Sequence, residues 1–344
     1  MNPSGENKDV MKTRCALVAA IAIALSCVPS ASRQQSTTAP PVITEASVRG
    51  HMEFLASDAM KGRGSGTEDE WRAAVYIGSQ MRRWGLEPLG DNGGFVKKID
   101  TSGMPGSTKP GMTSNALGQL TGSDPALAKE VILLTAHLDH LGVRGSGADT
   151  IFNGADDDAS GSTAVLELAE AIAAGPRPKR TVMFVWFGSE ETTGFGAADF
   201  LKNPPVPLDR IIANIEFEMI ANRDAAVPPH TLWLTGYERS DLGPELAKQG
   251  ARIVADPHLD ARFFERSDNI QLACMGIIAQ TVSSFDNKGA TYHKVTDDVA
   301  HVDFAHMTDA IQSMLNPVLW LANSSFKPEW LPGKKPIPGQ PPCG

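Results

Sequence analysis

The chain has little cysteine, no excess of basic charge and no N-terminal apolar run long enough to span a membrane comfortably. Four cysteines, Cys15, Cys27, Cys274 and Cys343, occur in 344 residues, and no two of them have the spacing of zinc-finger ligands. Basic residues number 31 against 40 acidic ones, a formal charge of −9, and they are scattered rather than blocked. That balance excludes nucleic acid and anionic lipid as the main partners. The apolar stretch Ala16–Val28 falls short of the roughly 20 residues a transmembrane helix needs.

What surrounds that stretch gives it a meaning. Lys12 and Arg14 precede it, and small residues followed by a Ser/Thr/Pro/Gln-rich segment to about Pro41 come after it, which is the layout of a secretory signal. Residues 1–32 are therefore expected to be a signal peptide and 33–44 a disordered linker, with export to the periplasm or beyond and no stable membrane span after cleavage. Cys27, behind Ala24-Leu25-Ser26, offers a lipid-attachment position, but an ordinary signal-peptide cysteine is the preferred reading. Cys274 and Cys343 remain after cleavage. In an exported protein they can pair; a buried thiol plus a mobile tail cysteine is the alternative, and the sequence leaves both open.

The length fits one catalytic domain over 45–325, followed by a Pro-rich tail over 326–344 that either wraps the surface or moves freely. Glu45–Ala56 reads as a helix. Thr67 and Glu70 form a capping box that opens a second helix running to Trp84 and stopping at Gly85. Thr101–Ser114 is rich in Gly, Pro, Ser and Thr and reads as a loop. Beyond it come four apolar runs, Val131–Ala136, Thr181–Phe187, Ile211–Phe217 and Ile277–Val282, separated by helical stretches such as Ser162–Ala174. Such runs are strands buried on both faces of a largely parallel sheet. The expected fold is α/β, a three-layer α/β/α sandwich with a mixed, largely parallel central sheet, closed by a helix over Phe304–Asn323 that Pro317 should kink.

The first three runs each empty into polar residues at their carboxyl ends: His137 and Asp139, Glu190 and Glu191, and Glu218. In open α/β sheets that crevice is where ligands bind. Between the first two lies Asn153-Gly154-Ala155-Asp156-Asp157-Asp158-Ala159-Ser160-Gly161, whose consecutive carboxylates repel unless a cation or helix-end amides neutralise them. One aspartate of the three is expected to be a metal ligand, with Asp158 or Ser160 capping the helix that follows. Imidazoles and carboxylates in this number, with a separate base, are what two neighbouring cations require.

His137-Leu138-Asp139, Gly154–Gly161, Ser189-Glu190-Glu191, Phe217-Glu218-Met219-Ile220 and Tyr292-His293, in this order, resemble the motifs of metallopeptidase family twenty-eight, the bacterial leucyl aminopeptidase and glutamate carboxypeptidase family. The similarity runs from about Ser47 to Asn323 and includes Gly85-Leu86-Glu87-Pro88. It implies the zinc-exopeptidase, phosphorylase/hydrolase-like fold and two zinc ions bridged by Asp157. His137 and Glu218 would complete one site, and Glu191 and His293 the other. Glu190 would be the general base toward the metal-bridging water, Asp139 would orient His137, and Tyr292 would stabilise the scissile carbonyl oxygen. The same pattern leaves His140 unliganded and makes Asp268 a hydrogen-bonding support.

The chain departs from the pattern at several positions. Glu216 stands where Asn is frequent, Ala221 for Gly, Asn269 for His, Ile278 for Pro, and Glu218 where many members have Asp. The resemblance implies an exported di-zinc aminopeptidase acting on peptides with a free N-terminus. The alternatives are a single-zinc glutaminyl cyclase of the same fold and a non-catalytic binding ectodomain. An acidic pocket would attract the substrate amine, with Glu216 and Asp268 as candidate contacts. Arg262 and Arg266 alone are too few for a carboxypeptidase pocket that takes acidic C-termini.

Overall fold

The computed structural model describes residues 41–104 and 111–343. The expected signal segment, Cys27 and most of the expected linker lie outside them. Nine strands form one sheet: β1 (Glu87–Pro88), β2 (Val96–Asp100), β3 (Met112–Leu120), β4 (Val131–His137), β5 (Thr181–Phe187), β6 (Ile211–Phe217), β7 (Leu232–Leu234), β8 (Ile253–Ala255) and β9 (Ala279–Ser283). Their order across the sheet is β1-β3-β5-β4-β6-β9-β7-β8, with β2 also pairing β3. The central β5-β4-β6-β9 pairings are parallel, whereas β1, β2 and β5 meet β3 antiparallel and β7 meets β9 antiparallel. With β8 parallel to β7, four of the eight pairings are parallel and four antiparallel; the sheet is mixed, as expected, but parallel only at its centre rather than largely so.

Alternation along the central strands makes the three layers. Ile132, Leu134 and Ala136 of β4, with Val182, Phe184 and Trp186 of β5, join a core with α1 (Glu45–Leu55), α2 (Glu68–Arg83), α3 (Gly161–Ala174) and the long C-terminal helix. Val131, Leu133, Met183, Val185 and Phe187 point the other way. They pack with Ala197 and Phe200 from a helix over Phe195–Lys202, and with Leu272 and Ala273 from one over Asn269–Cys274. Fully burying one such side chain contributes about 1.5–3 kcal/mol, so the paired faces fix the register. The remaining helices complete the chain order: α4 (Glu190–Thr193), α5 (Phe195–Lys202), α6 (Leu242–Lys248), α7 (Asn269–Cys274) and α8 (Phe304–Asn323), the last running through Pro317.

Several boundaries differ from the sequence reading. The loop expected over 101–114 gives way to strand β3 at Met112, and β9 begins at Ala279 rather than Ile277. Ile43, placed in the expected linker, is already buried, and its N–H donates to Gln312 Oε1. Thr67 does cap α2, accepting from the amides of Asp69 and Glu70. Glu70 does not close the box on Thr67; its Oε2 accepts from Gly66 N and its Oε1 is used elsewhere.

The C-terminal tail wraps the surface. Leu331 N donates to Arg239 O, Trp330 Nε1 donates to Gly276 O, and Cys343 forms a disulfide with Cys274. Among the described residues no helix is long and apolar enough to cross a membrane.

Candidate metal centre

Strands β5, β4 and β6 are neighbours, so their carboxyl ends deliver the chemistry side by side. His137 is the last residue of β4 and sits in register with Phe187, the last of β5. From Phe187 the chain turns through Gly188 and Ser189, the latter at φ 59°, and places Glu190 and Glu191 on the first turn of α4. Only glycine fits at 188, because a Cβ there would fall 2.5 Å from the Ser114 carbonyl and 2.7 Å from Glu70 Oε1. Glu218 follows directly on β6, and Met219 turns the chain away at φ 52°.

Asp157 lies between the two imidazoles. Its Oδ1 is 3.2 Å from His137 Nε2 and its Oδ2 is 3.1 Å from His293 Nε2, so each carboxylate oxygen faces a different histidine. His293 Nε2 is also 3.1 Å from Glu191 Oε2. Two donor groups emerge, each with its ligand atoms within 4.8 Å of one another: His137, Asp157 and Glu218, and His140, Asp157, Glu191 and His293. Every expected ligand position is thus brought together, and His140 is added to them.

The rest of the acidic knot builds the loop. Asp158 Oδ1 accepts from Gly161 N and Met219 N, and its Oδ2 accepts from His137 N. Asp156 Oδ1 accepts from Ala221 N, and Ser160 Oγ accepts from Ile220 N. Asp297 receives the amides of Asp156 and Asp157, which ties the segment bearing His293 to the one bearing Asp157.

The electrostatics fit dications. Burial pushes the Glu218 carboxyl up to about 7, with His137 opposing and Asp157 adding to it. Asp157 is held well below its ordinary range: burial raises it, but the close contacts with the His137 and His293 imidazoles outweigh that. Burial lowers His293, yet its contacts with Asp157 and Glu191 carry it up to about 9. A buried set of carboxylates that drives its neighbours to take up protons is stabilised by cations of matching ligand preference. The His137 Nε2, His140 Nδ1 and Glu191 Oε1 atoms are buried with no hydrogen-bond partner among the described residues, as atoms reserved for an ion would be.

Asp139 does more than the resemblance implies. His137 Nδ1 meets the Asp139 backbone carbonyl at 3.2 Å, while the carboxylate is 3.7 Å away. That carboxylate also accepts from the amides of Glu190 and Glu191 and from Ser65 Oγ. It holds the base-bearing turn, and Asp139 faces the His137 ring with both its carbonyl and its carboxylate. Tyr292 stacks on His293, with ring centroids 3.9 Å apart, and lines a cavity of about 40 Å³ together with Glu218, Trp233, Phe263, Arg266 and Phe285. Glu216 and Asp268 do not line it. Both are buried, and their carboxyl oxygens make no hydrogen bond among the described residues. Burial raises both, and the Asp268 carboxyl reaches about 8.

A family described as Peptidase family M28 matches residues 115–318, more than half of the chain. The chain belongs to that family. Leupeptin-inactivating enzyme 1 of Streptomyces exfoliatus is 30% identical over 221 residues, covering 61% of this chain. The chain spans 45% of that relative's own length. Among solved structures, the zinc aminopeptidase BSAP of Bacillus subtilis superposes with a TM-score of 0.64 at 14% identity, covering 87% of this chain and 99% of that one. A glutaminyl cyclase of Bacteroides thetaiotaomicron superposes with a TM-score of 0.59 at 18% identity, covering 82% and 99%. At these identities the likeness establishes the fold. Membership of M28, a peptidase family, and two donor groups able to hold a metal ion are the findings on which a functional reading rests.

The M28 match leaves out a segment on which the site depends. Arg63 is 1% exposed, and its guanidinium donates to four carbonyls: Leu55, Leu138, Asn153 and Gly154. It thereby clamps the turn after His137 to the turn before Asp157. Glu70 Oε1 accepts from Ser189 N and Thr113 Oγ1, fixing the turn before Glu190. The sequence reading missed these residues because each acts on backbone groups far along the chain; the glycines flanking Arg63 were the one local signal. Arg63→Lys keeps the charge but loses the fork that reaches four acceptors. It should lower unfolding free energy by about 3 kcal/mol and weaken zinc binding by at least about 10-fold, checked by denaturant melts of the apo protein and by chelator competition.

Proposed function

We propose that the protein is an exported aminopeptidase that uses two zinc ions to hydrolyse the first peptide bond of peptides. The observation that carries this reading is the bridging position of Asp157, with one oxygen toward His137 and the other toward His293. Zinc ions held by the two groups would supply Lewis-acid chemistry, lowering the pKa of a water and polarising the scissile carbonyl. The chain's own residues do the rest. Glu190, on its rigid turn, takes the proton of the attacking water and returns it to the leaving amine. Tyr292 stands at the cavity beside Glu218, where it can meet the carbonyl oxygen. That cavity is small and walled by Trp233, Phe263 and Phe285, which supports a seat for one terminal side chain rather than a through-going cleft.

Export is supported by the signal-like N-terminus and by the Cys274–Cys343 disulfide, a bond that persists in oxidising compartments. The glutaminyl cyclase alternative would need one zinc, whereas two donor groups are present.

A free amine is what separates an aminopeptidase from an endopeptidase. Acetylating the N-terminus of a good peptide substrate should lower kcat/KM by at least about 100-fold, near 2.7 kcal/mol of lost transition-state stabilisation. Paired assays of free and acetylated peptides, with and without chelator, check it. Equal rates would mean that the site serves another amide substrate.

A further inference from the structure

The donor group around Glu191 holds one side chain more than the motif resemblance implies. His140 is 0% exposed, and its Nδ1 lies 2.7 Å from Glu191 Oε1 and 3.8 Å from Asp157 Oδ2. Although the first of these distances is short, the contact is not aligned as a hydrogen bond, and both ring nitrogens are without partners among the described residues. A fully buried imidazole with no partner destabilises the fold, so its placement calls for an acceptor of its lone pair.

The ring's seat is built for it. Gly154 packs against it so closely that a Cβ would fall 2.5 Å from His140 Cγ, and Gly154 adopts φ +62°, where glycine is at ease. The His140 amide donates to the Arg63 carbonyl, so the clamp described above also sets the backbone behind the ring. Donor spacing agrees with a shared ion. Atoms bonded to a tetrahedral zinc at about 2.0–2.1 Å lie roughly 3.3 Å from one another. Here the His293–Asp157 and His293–Glu191 pairs are both 3.1 Å apart, and the two His140 distances of 2.7 and 3.8 Å fall on either side of that spacing.

We propose that His140 is a fourth protein ligand of the cation held by Asp157, Glu191 and His293. The proposal rests on the two-cation reading above. Its consequence is an asymmetric pair. Four protein donors would leave a cation there no free position if it is tetrahedral, whereas His137, Asp157 and Glu218 supply only three donors. A cation held by the four would be the more tightly bound, and a position for water or substrate would be left beside Glu218 and the aromatic cavity.

The test uses zinc added back to the apo form of the full chain, with a chromogenic chelator as competitor. Wild type should bind two ions of different affinity, and His140→Ala should weaken the tighter one by more than about 100-fold, beyond what losing an outer hydrogen-bond partner costs. The weaker ion should keep its affinity. His137→Ala should do the reverse. X-ray absorption of the wild type loaded with one equivalent of zinc should count two imidazoles on that ion, and this readout decides alone if His140→Ala does not fold. A tighter Kd that moves less than about 10-fold, a loss that falls on the weaker ion, or a single imidazole would overturn the assignment. If wild type binds only one ion, the two-cation reading fails; His140 then stands only if that ion carries two imidazoles.

Discussion

Asp157→Ala should strip both ions from the protein, a larger effect than any other single change in the site. Each of its oxygens faces a different imidazole, so removing the carboxylate takes one donor from both groups at once. The fold should survive. The loop is held by Asp297 on the amides of residues 156 and 157, and by Asp158 on Gly161, Met219 and His137, none of which uses the Asp157 side chain. His137→Ala, by contrast, empties only the group that contains Glu218. Zinc measured by elemental analysis after dialysis should therefore fall to near nothing in the first variant and by about half in the second. Activity in the first should drop by more than the roughly 10–100-fold that loss of an outer hydrogen bond costs. Equal zinc losses in both variants would show that Asp157 is not shared.

What the sequence made legible follows from where its signals are local. Strands β5 and β6 have the expected limits because both faces of each are buried, which leaves an unbroken apolar run. Strand β3 was hidden. Its buried Thr113 and Ser114 read as loop, yet Thr113 serves Glu70, and the next residue, Asn115, serves the backbone of Gly188 and Gly196. The expected ligand positions were legible as motifs, and all but His293 sit at a strand end or in a glycine-flanked turn. The residues that hold those turns were not. Arg63 reaches carbonyls as far as residue 154, and Glu70 reaches Ser189, by contacts that leave no periodicity in the chain. His140 is adjacent to the His137-Leu138-Asp139 motif, and the family pattern leaves it unliganded. Its burial beside Glu191 is a three-dimensional fact that spacing alone does not contain.

Glu190→Gln should leave both ions in place and remove most of the turnover. The two adjacent glutamates are separated by their setting: Glu191 belongs to a donor group and Glu190 to neither. Asp139 holds the amides of both, so the turn stays fixed when the Glu190 side chain changes. Burial raises the Glu190 carboxyl well above its ordinary value; His137 opposes this, and Glu218, Asp268 and Glu191 add to it. Nearby dications pull the other way by favouring the charged form. Glutamine matches its shape but accepts no proton. The expected result is a fall in kcat of at least about 10²-fold with KM little changed, wild-type zinc content and an unchanged melting temperature. Metal content must be read on the same sample. A variant that loses an ion would make Glu190 a ligand, and one that keeps both ions and near-normal kcat would remove it from the chemistry altogether.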